Sequence, residues 1–391
     1  MSDHVAVVVA GHICLDLMPS LPGDRSPVRY EPGALVQVGP MRLSTGGSAA
    51  NVGVALHRLG VPARLVAKVG SDPFGERIRE ILGDEDPSLA SHVIAASGEH
   101  TSYSLLLSPP GQDRMVLHFP GANDTFSEHD VNPRMLSGAR IFHFGYPPAM
   151  RRMYAEHGEG LRRILDMAKE AGLATVLDMC YPDPSSAAGA VDWRRILWTC
   201  LPAVDIFLPS LPEIMLMLEP ERSRVALKRG PETLSAEPMQ RIADLGEQLL
   251  EMGAGIVGIK AGDRGMYVVS RCEGRIRAIG ASLALDSGLW TGVSLWSSAF
   301  QAHAEGTTGA GDAANAGFML GLLEGMSPED TATAACAAGG SSVEAADATS
   351  GVRSWHETKA RIAGGWARGT EAPGVDWTPG SRPGIWTRAH G

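Results

Sequence analysis

The chain has 391 residues, 44% hydrophobic and 6% aromatic, with a formal net charge of −10. That is ample for a large core in one large or two ordinary domains, and an acidic chain without a basic block excludes nucleic acid or an anionic membrane as the main partner. The five cysteines (Cys14, Cys180, Cys200, Cys272 and Cys336) are odd in number and lack metal-ligand spacing, which argues against a disulfide framework, and without a basic signal-like start or an apolar run of roughly 18–20 residues the expected location is cytoplasmic.

Val5–Ile13 is β-branched and reads as a buried parallel strand, with Asp16 near its C-terminal end. Residues 19–40 are rich in Pro and Gly and suggest exposed strands or a flap. Gly46-Gly47-Ser48-Ala49-Ala50-Asn51 opens a helix striped by Val52, Ala55, Leu56 and Leu59 and ended by Gly60. Ala63–Val69 is the next strand, and Asp72-Pro73-Phe74-Gly75 starts another helix. Tyr103–Leu107 and Arg114–Phe119 form a predicted hairpin around Pro109-Pro110-Gly111.

Strands and helices then alternate. Ala139–Phe144, Leu173–Asp178, Val204–Leu208 and Gly255–Lys260 read as strands, and Gly265–Ser270 as a partner of the last. Met153–Ala171, Trp193–Leu201, Met239–Met252, Ala313–Leu323, Pro328–Val343 and Trp355–Ala367 read as helices. This alternation predicts a doubly wound α/β fold, a mostly parallel sheet flanked by helices. Residues 370–391 lack periodicity and are expected to be a loose or surface-laid tail.

Two glycine patterns are decoys. Gly253-Ala254-Gly255-Ile256-Val257-Gly258 follows a helix and opens a strand, the reverse of a dinucleotide fingerprint. Gly309-x-Gly311-x-x-Ala314 contains Asp312, which would repel a pyrophosphate. The turn Thr308-Gly309-Ala310-Gly311-Asp312 suits another chemistry. Its glycines bring unpaired amides of a helix start close to an anion, with a carboxylate beside it. Alone, it could equally be a capped helix. Asp16, Gly46-Gly47 with Asn51, Lys260-Ala261-Gly262-Asp263-Arg264-Gly265 and Ser210-Leu211-Pro212-Glu213 each have an ordinary turn or first-turn reading as well.

Together and in this order, these segments resemble the PfkB/ribokinase family of carbohydrate kinases. Gly46 to Gly60 is similar to one family signature, and Thr307 to Gly317 to the other. Val66 to Gly75 and Gly121-Ala122-Asn123 support it. The resemblance implies a ribokinase-like domain over about 1–369, a small β lid from about 17–42 and 101–119, and a tail from 370–391.

It also implies transfer of the ATP γ-phosphoryl group to a sugar hydroxyl. Asp312 would be the base, and the amides of Gly309, Ala310 and Gly311 an anion hole. Asp16, Gly46, Gly47 and Asn51 would hold the sugar. Lys260, Gly262, Gly265 and Thr308 would line the nucleotide site, and Glu213 would reach Mg²⁺ through water. The family's use of the lid as an interface implies a homodimer.

The chain departs from the family pattern at several positions. Gly306 stands where the family usually has Asp, beside any monovalent-cation site. Ser210 replaces the Asn of an Asn-x-x-Glu motif, and Gly145-Tyr146-Pro147-Pro148 stands where some members carry a sugar-contacting carboxylate. Asp178-Met179-Cys180-Tyr181 lacks the Asn and Arg that often follow this aspartate, and the stretch 280–305 is longer than usual. A nucleoside kinase of the same fold and a catalytically silent sugar- or nucleotide-binding regulator are the alternatives.

Overall fold

The apolar runs become the strands of one large sheet in the computed structural model, which describes residues 5–21, 33, 35–107, 115–227 and 237–388. In chain order the strands are β1 Val7–Gly11, β2 Cys14–Pro19, β3 Met41–Gly46, β4 Ala63–Gly70, β5 Val93–Ala96, β6 Tyr103–Leu107, β7 Met115–Phe119, β8 Ile141–Gly145, β9 Ala174–Leu177, β10 Ile206–Phe207, β11 Ile256–Lys260, β12 Gly265–Ser270, β13 Ser294–Ser298, β14 Thr378–Pro379 and β15 Ile385–Thr387. The helices of eight residues or more are α1 Ser48–Leu59, α2 Pro73–Glu85, α3 Glu159–Glu170, α4 Trp193–Cys200, α5 Leu211–Leu218, α6 Pro220–Leu227, α7 Met239–Glu251, α8 Glu273–Leu283, α9 Ala310–Leu323, α10 Pro328–Ser342 and α11 Trp355–Ala363.

The large sheet runs β14-β15-β13-β12-β11-β10-β9-β8-β1-β4-β5. From β11 to β5 every neighbour is parallel, and from β12 outward every neighbour is antiparallel. Strands buried on both faces need apolar residues at every position. Val7 and Val9 face one core, which α1, α2, α8, α9 and α10 cover. Val8 and Ala10 face the other, which α3, α4, α5 and α7 cover. Each fully buried valine side chain contributes about 1.5–3 kcal/mol.

The strand β1 lies between β4 and β8, so the chain winds away from it in both directions. That reversal opens a crevice at the C-terminal strand ends, the usual ligand position in open α/β sheets. Over the crevice lies a separate four-stranded sheet, β3-β2-β6-β7. It corresponds to the expected lid. The turn 109–111 and much of the flap lie outside the described residues, whereas β6 and β7 pair antiparallel as a hairpin should.

Several boundaries differ from expectation. The first strand ends at Gly11, and Asp16 is the third residue of β2, inside the lid sheet. The run 153–171 is broken, because Glu156 and His157 take positive φ between a short helix and α3. Residues 280–305 hold the end of α8, a short helix at Ser287–Trp290 and β13. Trp290 is fully buried, and Trp296 is buried with the Arg264 guanidinium 5.6 Å from its ring centre. Both serve packing.

Residues 370–388 are no loose tail. β15 pairs with β13, placing Trp386 beside Trp296, and Ile385 is 1% exposed. Trp377 packs edge-on against Tyr267.

Candidate active site

The chemistry gathers where the parallel strands end. His12 follows β1, Tyr146 follows β8, Asp178 follows β9, Ser210 follows β10, and Lys260 ends β11. The start of α9 faces these ends. Gly309 is its N-cap, at φ 77°, and no side chain caps the helix. A Cβ at Gly309 would lie 2.3 Å from the Ala348 carbonyl oxygen, so both the turn and its packing require glycine. The amides of Gly311 and Asp312 begin the helix at its positive end, and residues 309–311 are half-exposed while Asp312 is 1% exposed.

Two donors hold Asp312. The Asn51 Nδ2 amide and the Tyr146 hydroxyl each donate to Oδ2 at 2.9 Å. Oδ1 has no partner among the described residues, nor has Asn51 Oδ1. One oxygen is thus fixed and the other is available to a ligand. Burial pushes the Asp312 carboxyl up to about 6, and the Asp178 charge adds to this. Asn51, Lys260 and Tyr146 oppose it.

Lys260 is buried and donates to Asp178 Oδ1 at 2.9 Å and to Asn315 Oδ1 at 3.0 Å. A Cβ added to Gly311 would lie 3.4 Å from its ammonium, so the cation sits directly under the Gly309–Gly311 turn. Gly262 takes φ +60° with open space around it. Gly265 takes φ +126° because a Cβ there would strike the Ser297 carbonyl at 2.0 Å, which is a demand of strand packing. Thr308 is half-exposed beside Gly309.

Glu213 Oε2 accepts the Ser210 N–H at 2.7 Å, closing a capping box at the start of α5. Burial and then the Asp178 charge push Glu213 up to about 7. His143, on β8, is fully buried, with neither ring nitrogen partnered among the described residues. Burial and the Lys260 charge bring it down to about 3, so it is neutral.

The lid adds a polar row. Asp16 on β2 pairs across the sheet with Ser44 and Ser104, and Ser104 pairs with His118. Cys14 Sγ donates to Asp16 Oδ1 at 3.4 Å and lies 3.6 Å from Ser104 Oγ, which is 3.0 Å from His118 Nδ1. His118 Nε2 then meets His12 Nε2 at 3.4 Å, and the His12 ring lies 6.3 Å from that of Tyr146. A continuous polar lining therefore runs from Asp16 on the lid to Asp312 on the core.

The glycines of the first signature fit this lining closely. A Cβ at Gly46 would lie 2.4 Å from Asp16 Oδ2, and one at Gly47 would lie 2.5 Å from His12 Nδ1. Burial brings His12 well below the usual imidazole range, with His118 adding to the effect, and burial lowers His118 too. A contact between two imidazoles needs one donor and one acceptor, which neutral rings supply.

Nine of the expected residues fall into two groups. Asp312, Gly309, Ala310, Gly311, Asn51 and Lys260 meet at the α9 start, Asp16 and Gly46 meet in the lid sheet, and Gly47 packs on His12 where the lid joins α1. Sequence reasoning missed His12, Ser104, His118, Tyr146, Asp178 and Asn315 as site members. Tyr146 had a readable signal, a tyrosine between a strand end and two prolines. Asp178 and Asn315 had little, because only their long-range partners mark them.

Residues 6–355 match the family model of the pfkB family carbohydrate kinase. Over 320 residues the chain is 27% identical to the 2-dehydro-3-deoxygluconokinase of Thermoproteus tenax, covering 78% of this chain and 82% of that one. Its fold is similar to that of the ribokinase of Thermotoga maritima, with a TM-score of 0.65 at 20% identity, covering 92% of this chain and 99% of that one. It is also similar to the Arabidopsis thaliana ribokinase complexed with ribose and ATP, with a TM-score of 0.66 at 19% identity over 91% and 98%. Among the described residues, no helix is long and apolar enough to cross a membrane.

Proposed function

The chain belongs to the pfkB family of carbohydrate kinases, and from that premise we propose that Asp312 is the base of an ATP-dependent phosphoryl transfer to a sugar hydroxyl. The observation that carries this is the state of its carboxylate. Oδ2 is fixed by Asn51 and Tyr146, and Oδ1 is unpartnered beside an uncapped helix start. A base must be held within reach of the proton it accepts and have a pKa near the working pH. A value of about 6 meets the second need.

The transferred group is anionic and fits the α9 start. Glycine turns bring the Gly309–Gly311 amides to the surface, and the Lys260 ammonium lies beneath. Lys260, Gly262, Thr308 and Gly265 define the nucleotide side, with Gly265 acting through the turn it permits. The sugar lies between the lid row, Asp16 to His118, and the core residues His12, Gly47 and Asn51.

No three His, Cys, Asp or Glu groups among the described residues could hold a metal ion. That donor set fits Mg²⁺ carried mainly by phosphate oxygens and water, with Glu213 reaching it through water. When bound, the ion neutralises charge on the phosphates. A cytoplasmic location fits a reaction that consumes ATP.

The lid also supports a homodimer. Leu43, Leu17, Leu105 and Leu117 lie in register across the sheet, in the row next to Asp16 and Ser104. Leu43 is 42% and Leu117 51% exposed. A second copy covering this row would bury apolar surface that is otherwise wet. Light scattering on the wild type and on Leu117→Lys checks this, since a monomeric wild type would rule it out.

The function is tested by measuring ADP release over a panel of neutral sugars, sugar acids, sugar phosphates and nucleosides, with wild type and Asp312→Asn, in potassium and in potassium-free buffer. At least one sugar should stimulate the wild type. Nucleoside-only stimulation would move the reading to a nucleoside kinase, and no stimulation at all to a silent binding protein. Full turnover by Asp312→Asn would remove Asp312 from its role.

A further inference from the structure

The buried charges around Asp312 are unevenly paired. Facing it are Asn51 from α1, Tyr146 after β8, Asp178 and Cys180 after β9, Lys260 from β11 and Asn315 one turn along α9, with Glu213 of α5 behind Asp178. The Lys260 ammonium acts on all three of these carboxylates. It bonds to Asp178 and Asn315 and makes no bond to Asp312.

A buried ammonium near a catalytic carboxylate would ordinarily pair with it. Such a pair stabilises the ionised carboxylate and weakens it as a base. It would also occupy the lone pairs that must receive the substrate proton.

We propose that Asp178 is a positioning residue for the base: its carboxylate takes the Lys260 ammonium, so that this cation lies under the Gly311 turn instead of pairing with Asp312. The inference rests on the reading of Asp312 as base. Three features of the structure support it. Asp178 is 1% exposed and lies beyond the end of β9, where the Phe144 carbonyl receives its N–H and fixes its backbone. Lys260 is fixed by β11 and by the bond from its N–H to the Pro209 carbonyl. Asn315 supplies the second acceptor, so the ammonium is held from two directions. The Asp178 charge also raises the proton affinity of Asp312 through space. One carboxylate therefore restrains the cation and strengthens the base.

The test is the pH profile of kcat for Asp178→Asn, Asp178→Asn/Lys260→Met, Asp178→Glu and Asp312→Asn. In Asp178→Asn the ammonium is released towards Asp312. The acid limb should move down by about one pH unit, and the plateau rate should fall at least tenfold. Removing the lysine as well should return the limb to near its wild-type position, and Asp178→Glu should keep it there. Asp178→Ser serves the same comparison if Asp178→Asn does not fold. A limb that stays in place in the Asn and Ser variants overturns the inference, as does a double variant whose limb stays displaced. A raised KM for ATP with an unmoved limb would also overturn it, because Lys260 would then act on the nucleotide alone. Asp312→Asn is read separately. If it turns over normally, the base assignment fails. If it is inactive and the Asp178 limb is unmoved, only the present inference fails.

Discussion

Asn51 and Asp312, 261 positions apart in the chain, are joined by a hydrogen bond of 2.9 Å from amide to carboxylate. The bond ties the first turn of α1 to the first turn of α9, so each of the two sequence signatures contributes one partner. The consequence is that the starts of α1 and α9 share one fixed point in the crevice.

Removing either donor to Asp312 should make the carboxyl harder to ionise. Asn51→Ala and Tyr146→Phe should each raise the acid limb of kcat above its wild-type position, by about one pH unit for a charge-assisted bond. Activity should fall more at pH 6.5 than at pH 8. Equal losses at the two pH values would count against this coupling.

The wild-type profile has a predicted sign. The Asp312 carboxyl is raised to about 6, and only the ionised form can accept a proton. Turnover should therefore be full above about pH 7 and decline as pH falls through about 6. Initial rates at saturating sugar and ATP check this, and a rate that is flat down to pH 5 would contradict it.

Substitution of Gly309 by Ala should damage the proposed anion hole. The residue takes φ +77°, and its Cβ would meet the Ala348 carbonyl at 2.3 Å. The left-handed conformation costs about 1–2 kcal/mol for a non-glycine residue, and relief of the clash must move the turn. We expect kcat to fall about 10²-fold or more with little change in the KM for sugar. A variant that changed only the sugar KM would show that the turn does not face the phosphate.

His118 contacts Ser104 and His12 and contributes lining from the lid. His118→Ala should raise the KM for sugar about tenfold, as expected for roughly 1.4 kcal/mol of lost contact, with a smaller effect on the KM for ATP. Steady-state kinetics with each substrate varied will separate the two.

Truncation after residue 369 should destabilise the whole domain. It removes β14 and β15 with buried Ile385 and Trp377. Loss of those contacts is worth several kcal/mol, so Tm should fall by roughly 5 °C or more. An unchanged Tm would return these residues to the status of a tail.

The sequence-based reading was strongest where backbone conformation carries the information. Gly46-Gly47 and Gly309-Ala310-Gly311 are readable because close approach and positive φ leave glycine as the residue that fits. The strands at 63–69 and 255–260 were legible because burial on both faces forces continuous apolar runs. Asp16 reads as the end of β1 but lies on a lid strand, because a two-residue connection, His12-Ile13, leaves almost no turn signal. β15 was missed because three residues cannot display a period. The Asp178–Lys260 bond spans 82 positions, and long-range charge pairing leaves no mark in local pattern.

The most C-terminal described strand of the large sheet, β15, is not its outermost. β15 docks on β13, and β14 in turn docks on β15. Until residues 378–387 have docked, β13 presents an open hydrogen-bonding edge. The loop leaving that edge leads through Phe300 and Gln301 towards the Gly309 turn. Closure of the sheet thus waits for β15, and a chain in which β15 has not yet docked is open at β13 to strand addition by a neighbour.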